Sequence, residues 1–255
     1  LHKEYRRQRQ MCIRDSFGGE EIILRVNIAV EERKELSNTI YINRTRVKPK
    51  PVYDFFKRLF DILFSGLALI VLSPVFFILA IIIKIGDKGD VLYSQNRIGK
   101  SGKTIKIYKF RSMKMNADSL ENMLTPEEYA LYKKEYKLDN DPRVTKVGSF
   151  LRKSSLDELP QLISILKGDM SIVGPRPVLP SELEENYTPF QIQVLNSVKP
   201  GLTGYWQAYA RNNVGYENFE RQKMELFYCR KRSFIFDIKI IFKTFLSVLK
   251  RNGAK

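Results

Sequence analysis

Histidine and cysteine are scarce in this sequence, and their scarcity excludes several kinds of chemistry. Among 255 residues there is one histidine, His2, so histidine triads, histidine-based zinc sites and histidine proton shuttles have no supplier. The two cysteines, Cys12 and Cys229, are far apart and offer neither a metal-ligand pair nor a disulfide framework, which is typical of a reducing compartment. Chemistry must therefore come from carboxylates, lysine, arginine, tyrosine or hydroxyl groups.

Acidic residues are also few, with 28 Asp and Glu against 44 Lys and Arg and a formal net charge of +16. Such a balance favours an anionic partner, which could be a nucleic acid, an anionic lipid or a phosphorylated substrate. Residues 8–16 read like the translation of a sequencing-adaptor oligonucleotide, so we interpret residues 1–16 as an artefact and exclude them from fold arguments.

The positive charge is concentrated in two segments that are also the most apolar. Residues 44–111 contain 14 basic and 4 acidic residues, and residues 219–255 contain 10 basic and 3 acidic residues. Residues 112–218, which lie between these segments, contain 12 basic and 14 acidic residues. The nearly neutral middle argues against nucleic-acid binding, which needs a basic face with aromatic stacking residues.

The longest uncharged run extends over 22 residues, from Ile62 to Ile83. Because about 20 apolar residues are needed to cross a bilayer, a single spanning helix is one interpretation. Ser73-Pro74 lies near the middle, where the proline removes a helical N–H and Ser73 can satisfy a freed carbonyl. Each half would be only about 13–16 Å long, too short to cross alone.

Basic residues flank this run on both sides, so the positive-inside rule keeps both flanks in the cytoplasm. A helix that enters the membrane, breaks at Ser73-Pro74 and returns satisfies the rule, whereas a straight span does not. We therefore predict a re-entrant membrane helix within residues 51–90, preceded by an extension of unknown role over residues 17–50.

The second apolar and basic segment, residues 219–255, has a helical pattern over 219–250. Its apolar residues at helical spacing are Phe227, Phe234, Ile238, Ile241, Phe242, Phe245 and Leu249. A basic amphipathic helix with aromatic anchors is typical of a helix lying on an anionic membrane surface. The alternative is an ordinary helix that packs its apolar stripe on the protein core.

The polar middle, residues 91–218, has the pattern of a cytoplasmic α/β domain. Strand-like pieces occur at residues 91–94 and 104–108, and a helix is predicted to start at Thr125-Pro126 and to continue to about residue 137. The complete expectation is a helix-rich α/β, membrane-associated domain with a re-entrant helix and interfacial amphipathic helices.

Residues 141–177 contain the adjacent carboxylates Asp157-Glu158, with Arg143, Arg152 and Arg176 in the same block. Adjacent carboxylates repel each other unless a cation or a donor compensates. One interpretation is structural, with Ser155 and Glu158 forming a capping box. If the helix instead starts at Pro160 and ends at Lys167-Gly168, the carboxylates lie just before it.

A chemical interpretation gives the two carboxylates different tasks, one as a nucleophile in phosphoryl transfer and its neighbour as a ligand of a divalent metal such as Mg²⁺. Arginines can clamp a diphosphate, and Lys109 and Arg111 after a predicted strand add two cations. Two prolines fix Arg176 in Gly174-Pro175-Arg176-Pro177. The loop at residues 199–204 could approach a ligand or could be a plain turn.

Several motifs occur in a specific order from residue 57 to the C-terminus. They are Lys57-Arg58-Leu59-Phe60-Asp61, Lys109-Phe110-Arg111-Ser112-Met113, the 141–177 block, Pro200-Gly201-Leu202-Thr203-Gly204 and Phe236-Asp237-Ile238-Lys239. With this set the chain resembles the bacterial sugar transferases, or monotopic phosphoglycosyl transferases, which start surface glycan assembly on a polyprenyl phosphate. The family also has a re-entrant helix broken at Ser-Pro, so the resemblance implies the same topology.

The resemblance implies a mechanism in which Asp157 attacks the sugar-bearing phosphate of a UDP-sugar, releases UMP and holds a covalent phosphosugar. Undecaprenyl or another polyprenyl phosphate then displaces the phosphosugar. Glu158 would bind Mg²⁺, and Arg152 and Arg176 would contact the phosphates or the nucleotide. The remaining implied substrate-binding residues are Lys109, Arg111, Pro175 and, as a weaker match, Arg211. The implied location is the cytoplasmic face of a bacterial inner membrane, with anionic lipids as further partners.

The sequence also departs from the family pattern. Gln207 follows Tyr205-Trp206 where family members often have glutamine directly after Thr-Gly, and Tyr216 stands where tryptophan is frequent. Residues 17–50 match no family segment, and the multi-span N-terminal domain of longer members is not expected. The sugar is left open, as is the oligomeric state, with a homodimer among the options. A competing hypothesis is a non-enzymatic adaptor that binds anionic lipid through its basic segments.

Overall fold

A computed structural model describes residues 47–86, 89–115, 117, 119, 123–135, 138, 141–210, 216 and 219–249. The chain divides after residue 47 into two units, and every element described below belongs to the second. The artefact proposed at residues 1–16, most of the 17–50 extension and the predicted site residue Arg211 lie outside the described residues.

The described residues form a helix-rich α/β fold, as the sequence predicts. The helices are α1 (Pro51–Val71), α2 (Ser73–Gly86), α3 (Pro126–Glu135), α4 (Lys146–Lys153), α5 (Gln161–Lys167), α6 (Pro180–Asn186), α7 (Pro189–Leu195), α8 (Tyr205–Tyr209), α9 (Glu220–Lys231) and α10 (Phe234–Leu249). The strands are β1 (Leu92–Ile98), β2 (Thr104–Phe110), β3 (Ser171–Val173) and β4 (Gly201–Thr203).

The strands form two small sheets. β1 and β2 are an antiparallel hairpin whose register runs from Leu92 opposite Phe110 to Ile98 opposite Thr104. β2 contains the predicted segment 104–108 and extends beyond it, whereas β1 begins one residue after the predicted start at residue 91 and extends to Ile98. β3 and β4 are parallel, with Ser171 opposite Gly201.

The α3 helix begins as predicted. The Thr125 hydroxyl accepts a hydrogen bond from the Glu128 N–H at 3.2 Å, and the Glu128 carboxylate accepts one from the Thr125 N–H at 2.9 Å. These reciprocal bonds satisfy two backbone donors at the start of the helix.

Glycines allow two backbone segments to cross where β3 meets β4. A β-carbon added to Gly201 would lie 2.0 Å from the Gly174 nitrogen, and one added to Gly204 would lie 2.1 Å from the Gly174 oxygen. No side chain fits at such distances, so glycine is required by close backbone contact. The 199–204 segment therefore includes a strand packed against the Gly174–Pro177 loop, and backbone packing accounts for its glycines.

The main core lies between the hairpin, α5 and the β3–β4 pair. Its buried members are Ile105, Ile107, Leu162, Ile165, Met170, Ile172, Val173, Ala208, Tyr228 and Ile240. A second cluster joins Leu79 and Ile83 of α2 to Phe110 of β2 and Leu151 of α4. The second half of the long apolar run is thereby attached to the strand that carries Lys109.

The long apolar run is broken between α1 and α2, which are bent by 59° relative to each other. The Ser73 hydroxyl donates to the Ile70 carbonyl at 2.8 Å. Pro74 lacks the N–H that would bond this carbonyl in a continuous helix, so Ser73 replaces the missing donor. The predicted break at Ser73-Pro74 is confirmed. Within the described residues no single helix is long and apolar enough to cross a membrane, but this bent pair meets the criteria of length and composition together.

The charged residues of α1 point toward the rest of the protein. Lys57 Nζ lies 2.5 Å from an Asp237 carboxylate oxygen. Arg58 donates to the carbonyls of Ile165 and Leu166 at 2.6 and 2.8 Å, at the end of α5. Inside a water-soluble domain the arrangement would be reversed, with apolar residues facing the core.

The outer surface of α1 and α2 is apolar and uncovered among the described residues. It includes Val52, Phe55, Leu63, Leu67, Ile70, Val71, Phe77, Ile78 and Ile85, each at least half exposed. A continuous apolar surface of this kind marks contact with a membrane or another protein.

The C-terminal segment consists of two helices, so the single amphipathic helix predicted over residues 219–255 is wrong. The backbone leaves the helical conformation at Arg232, whose φ and ψ are −45° and 134°. Its guanidinium contacts Asp54 at 3.0 Å, and its carbonyl accepts from Lys50 at 2.6 Å. Contacts with α1 and its N-terminal flank therefore hold the break, which helical spacing alone cannot predict. Ser233 then restarts the helix by accepting from the Phe236 N–H at 3.3 Å.

The two C-terminal helices differ in their surroundings. α9 buries polar residues, among them Gln222 and Glu225. α10 buries Ile240 but leaves Phe242 and Phe245 63% and 60% exposed. Phe236 and Ile241 pack against the core, whereas Phe242 and Phe245 do not. The exposed aromatic residues argue against the alternative of an ordinary core-packing helix.

We predict that Gly201→Ala destabilises the protein by about 1–3 kcal/mol or more, because the added methyl group overlaps the Gly174 backbone. The thermal melting temperature of the detergent-solubilised protein measures the effect. Gly66→Ala is the control, since no atom outside its own helix lies within 4 Å of a β-carbon added there. Equal melting temperatures for the two variants would contradict the backbone crossing.

Candidate functional site

The two adjacent carboxylates lie on a 3₁₀ turn, Leu156–Glu158, just before α5. Ser155 before them has φ of 56° and makes no side-chain capping bond, so the capping-box interpretation is wrong. A left-handed serine costs conformational energy that the surrounding fold must supply. The alternative is confirmed: α5 follows Pro160 and ends at Gly168, whose φ is 95°.

Two cations flank the carboxylate pair. Lys109 Nζ of β2 donates to Glu158 Oε1 at 2.7 Å. Arg152 of α4 is oriented by a 2.9 Å bond from its Nε to the Ser112 hydroxyl. Burial lowers the pKa of the Arg152 guanidinium, and the nearby negative charge of Asp157 opposes this shift. Asp157 itself is only 8% exposed. The repulsion between the carboxylates is therefore compensated by charges from two separate elements.

Arg143 makes its contacts elsewhere. Its guanidinium binds both carboxylate oxygens of Asp141, at 2.8 and 2.6 Å, and its Cζ lies 4.7 Å from the ring centroid of Tyr132. This bidentate pair orders the turn before α4.

A small cavity lies between the hairpin, α5 and the Gly174–Pro177 loop. Its lining residues are Gln95, Arg97, Ile107, Lys109, Gln161, Arg176 and Pro177. Lys109 lines the cavity and also binds Glu158, so the carboxylate pair borders the cavity. Burial, followed by repulsion from Arg176, lowers the pKa of Arg97 to about 10. Three cations converge here, and an anionic ligand would relieve their repulsion.

The loop that carries Arg176 is fixed from both sides. The Pro175 carbonyl accepts from the Gly201 N–H at 2.8 Å. The Arg176 N–H donates to the two carboxylate oxygens of Glu225, at 3.2 and 3.3 Å. Arg176 thus lines the cavity from a rigid backbone, as its two flanking prolines predict. Pro175 is buried and lines a smaller neighbouring cavity.

Arg111 makes its contacts away from the carboxylates. Its Nη1 lies 2.7 Å from the Met115 sulfur, and its Nη2 lies 3.8 Å from an oxygen of the exposed Asp90. A role for Arg111 in substrate binding stays a prediction.

Sequence reasoning missed three polar cavity residues, Gln95, Arg97 and Gln161. Strand periodicity could have indicated the first two. Gln95 pairs with Ile107 across the hairpin, so Gln95 and Arg97 share a face with Ile107 and Lys109. Gln161 has no comparable signal, because only the packing of α5 against the hairpin brings it to the cavity.

A buried polar network behind the cavity was also missed. The Glu182 carboxylate accepts from Arg221 Nη2 at 2.9 Å, from Arg97 Nη1 at 3.4 Å and from the Tyr216 hydroxyl. Arg221 also lies over the Trp206 ring, 4.2 Å from its centroid. These contacts connect the cavity residue Arg97 to α6 and α9, and thereby fix its orientation.

The carboxylates fit a magnesium ion by their donor chemistry. Among the described residues no group of three or more His, Cys, Asp and Glu is placed to hold a metal. Mg²⁺ is usually held by one or two carboxylates together with substrate phosphate oxygens, so it does not require such a group. The Asp157-Glu158 pair beside a cationic cavity meets this simpler requirement.

A sequence model of the family described as bacterial sugar transferases matches residues 52–251. The chain belongs to the bacterial sugar transferase family. The match includes the broken apolar helix pair, the carboxylate turn and every residue that lines the cavity.

Relatives in this transferase family have named activities. The chain is 44% identical over 203 residues to an undecaprenyl-phosphate galactose phosphotransferase of Salmonella typhimurium, with 78% of the chain and 42% of the relative covered. It is 42% identical over 208 residues to the exopolysaccharide production protein ExoY of Sinorhizobium fredii, with 80% of the chain and 90% of the relative covered. It is 41% identical over 207 residues to the UDP-glucose:undecaprenyl-phosphate glucose-1-phosphate transferase of Escherichia coli, with 76% of the chain and 42% of the relative covered. The chain thus spans less than half of the Salmonella and Escherichia relatives.

We predict that Glu225→Gln stabilises the protein increasingly as the pH rises from 5 to 8. Burial raises the pKa of Glu225 from 4.5 to about 7. The positive charge of Arg221 opposes this shift, as do the backbone N–H and the side chain of Arg176. The negative charge of Glu182 adds to it. The pKa of Glu225 is higher in the folded than in the unfolded protein. The contribution of this carboxyl group to the free energy of unfolding is therefore complete below about pH 4.5 and is lost as the pH rises through about 7. The free energy of unfolding of Glu225→Gln should exceed that of the parent by about 3 kcal/mol at most.

Melting temperatures at several pH values measure this effect, and the amide oxygen of glutamine keeps an acceptor for the Arg176 N–H. Glu220→Gln, at an exposed position of the same helix, is the matched control. A stability difference between parent and Glu225→Gln that is independent of pH would contradict the assignment.

Proposed function

We propose that this protein is a membrane-associated phosphoglycosyl transferase. It transfers a sugar-1-phosphate from a UDP-sugar to a polyprenyl phosphate and releases UMP, as the first membrane step of surface glycan assembly. The observation that carries the proposal is the carboxylate pair held between Lys109 and Arg152 at the border of a cationic cavity. The names of the Salmonella and Escherichia relatives support the reaction class.

In the first step a carboxylate oxygen of Asp157 attacks the phosphorus that carries the sugar. A P–O bond forms to Asp157 while the bond from this phosphorus to the UMP oxygen breaks, and UMP leaves with that electron pair. The phosphosugar remains on Asp157 as an acyl phosphate. The fixed position of the turn before α5 supports this role, because a nucleophile must be held in line with the leaving group.

Cations of the cavity stabilise the charge on the phosphate groups. Arg176 and Lys109 line the cavity that would hold them, and Arg152 lies on the other side of the carboxylates. Positive charges fixed by the fold act strongly in a partly buried site, since they need no reorganisation during the reaction. Lys109 also keeps Glu158 in place beside the nucleophile.

Glu158, together with phosphate oxygens of the donor, would hold Mg²⁺. The ion would supply Lewis-acid stabilisation of the phosphate charge.

In the second step a phosphate oxygen of polyprenyl phosphate attacks the same phosphorus. The new P–O bond gives a polyprenyl diphosphosugar, and the bond to Asp157 breaks to restore the carboxylate. The acceptor is a lipid, so the catalytic turn must lie at a membrane surface. The uncovered apolar faces of α1, α2 and α10 support this location.

We further propose that α1 and α2 enter and leave the membrane on the same side, with the catalytic domain at the cytoplasmic face of the bacterial inner membrane. Basic residues on both flanks of the apolar run support this topology. The lipid-facing parts of α1, α2 and α10 would then contact anionic lipids. Relatives are named for galactose and for glucose, so family membership leaves the sugar open.

We predict that Asp157→Asn lowers UMP release from the preferred UDP-sugar by about a thousandfold or more, because the amide is a poor nucleophile. Intact-protein mass spectrometry should detect a phosphosugar on Asp157 in the parent and none in the variant. Asp169→Asn, at an exposed aspartate, is the matched control and should keep parental activity. Full turnover by Asp157→Asn would exclude the mechanism and favour a non-enzymatic adaptor.

We predict that Lys48→Cys and Asp90→Cys, on either side of the helix pair, are both protected from a membrane-impermeant maleimide in intact spheroplasts. Both should react after permeabilisation. Cys12 is replaced by serine in this experiment, whereas Cys229 has no exposed surface and is kept. Labelling of one position but not the other in intact spheroplasts would show a spanning helix.

A further inference from the structure

Arg97 is a nearly buried cation whose guanidinium is held in one orientation at the cavity. Its side chain is 14% exposed. Nη2 donates to Gln95 Oε1 at 2.6 Å, and Nη1 lies 3.3 Å from the Pro177 carbonyl oxygen and 3.4 Å from Glu182 Oε2. A side chain that is ordered in advance loses little conformational entropy when it binds a ligand. Arg97 is therefore prepared for a contact in the cavity that it lines.

The positive charge around Arg97 is only partly neutralised by buried carboxylates. The Glu182 carboxylate is shared between Arg97 and Arg221, at 3.4 and 2.9 Å. Glu225 accepts from the Arg176 N–H, but burial raises its pKa to about 7, so it is about half protonated at neutral pH. Arg176 in turn repels the guanidinium of Arg97. These three arginines carry more positive charge than the two carboxylates carry negative charge, and an anion in the cavity would supply the difference.

The hairpin register places Arg97 away from the carboxylate turn. Lys109 contacts Glu158 at 2.7 Å and lies opposite Tyr93. Arg97 lies opposite Ile105, so four residue positions separate the two cations along the hairpin, or about 13 Å of strand. Both cations line the same cavity, which thus leads from the carboxylates toward Arg97. A diphosphate with one phosphate at the carboxylates has its second phosphate on the Arg97 side.

We infer that Arg97, together with Arg176, binds the phosphate of the UDP-sugar that leaves as part of UMP; this inference rests on the proposed function. This phosphate gains negative charge when its bond to the sugar-bearing phosphorus breaks, because UMP takes the electron pair. Guanidinium groups bind phosphate oxygens bidentately and stabilise such charge without transferring a proton. Arg97 thus acts while the adduct forms on Asp157 and has no task after UMP has left.

Arg97→Gln tests the inference by separating the two half-reactions. The single-turnover rate of adduct formation on Asp157 from the preferred UDP-sugar should fall by about a hundredfold, because a charged donor to the leaving group is lost. The rate at which polyprenyl phosphate removes the phosphosugar, measured on the adduct after free nucleotide is washed away, should stay at the parental value. An equal fall in both rates would show a general disturbance of the site and would overturn the inference, as would parental rates in both half-reactions.

Lys106→Gln is the matched control, since it removes one positive charge from the same hairpin. Lys106 is an exposed residue of β2 that lies opposite Asn96 and outside the cavity lining. Both half-reactions should keep their parental rates in this variant. If adduct formation fell as far as in Arg97→Gln, the net charge of the hairpin would explain the effect and the inference would be wrong.

UMP binding, measured by calorimetry, does not depend on turnover. UMP should bind Arg97→Gln about tenfold more weakly than the parent, as expected for the loss of one charge-assisted contact. Equal affinities, or no binding of UMP to the parent, would overturn the inference. If the parent forms no adduct with any UDP-sugar, the proposed function fails, and the comparison of UMP affinities alone decides whether Arg97 contacts a phosphate.

Arg97→Lys replaces the glutamine variant if that variant melts several degrees below the parent. Lysine keeps a positive charge beside Glu182 but cannot make the forked contact of a guanidinium. UMP should therefore bind this variant more weakly than the parent, and parental affinity would contradict the inference.

Discussion

The Asp61 carboxylate joins the apolar helix α1 to the part of the fold that carries the candidate site. It is 2% exposed and accepts hydrogen bonds from the Ile172 N–H at 2.9 Å and the Ser171 hydroxyl at 3.1 Å. A carboxylate in an apolar helix is tolerated only when donors of this kind surround it. Because β3 leads directly into the loop that carries Arg176, the position of α1 and the position of the cationic cavity are fixed together.

A second set of buried contacts centres on Asp237 at the start of α10. Its carboxylate accepts from Tyr53 at 2.7 Å, from Lys57 at 2.5 Å and from Tyr228 at 2.8 Å. The Tyr228 hydroxyl also lies 3.1 Å from the Val173 carbonyl, so this network again ends at β3. Polar residues thus hold α1 and α10 against the core, while their other faces remain apolar and uncovered. One face of each helix therefore attaches it to the domain, and the other face is apolar and exposed.

Charge is organised by the same division. The strong positive charge of the sequence lies mainly in the segments around the apolar helices, where it suits an anionic surface. The middle of the chain is nearly neutral in sum, but at the candidate site cations from β1, β2, α4 and the 174–177 loop surround the cavity and the carboxylates. The buried carboxylates of Glu182 and Glu225 hold this arrangement from behind through Arg97, Arg221 and the Arg176 backbone.

The sequence by itself determined the helix break at Ser73-Pro74, most of the two hairpin strands and the start of α5 after Pro160, because each depends on local backbone chemistry. Asp157 and Glu158 are its candidate site residues, chosen from a motif close in the chain. Only the tertiary structure decided that Lys109 meets Glu158 while Arg111 turns toward Asp90, that the C-terminal segment breaks at Arg232, and that Gln161 lines the cavity. These outcomes depend on contacts between residues distant in sequence, such as Asp54 with Arg232 and the packing of α5 on the hairpin. Local patterns give the direction of a side chain relative to its own helix or strand, whereas the partner it meets is decided by how the elements pack.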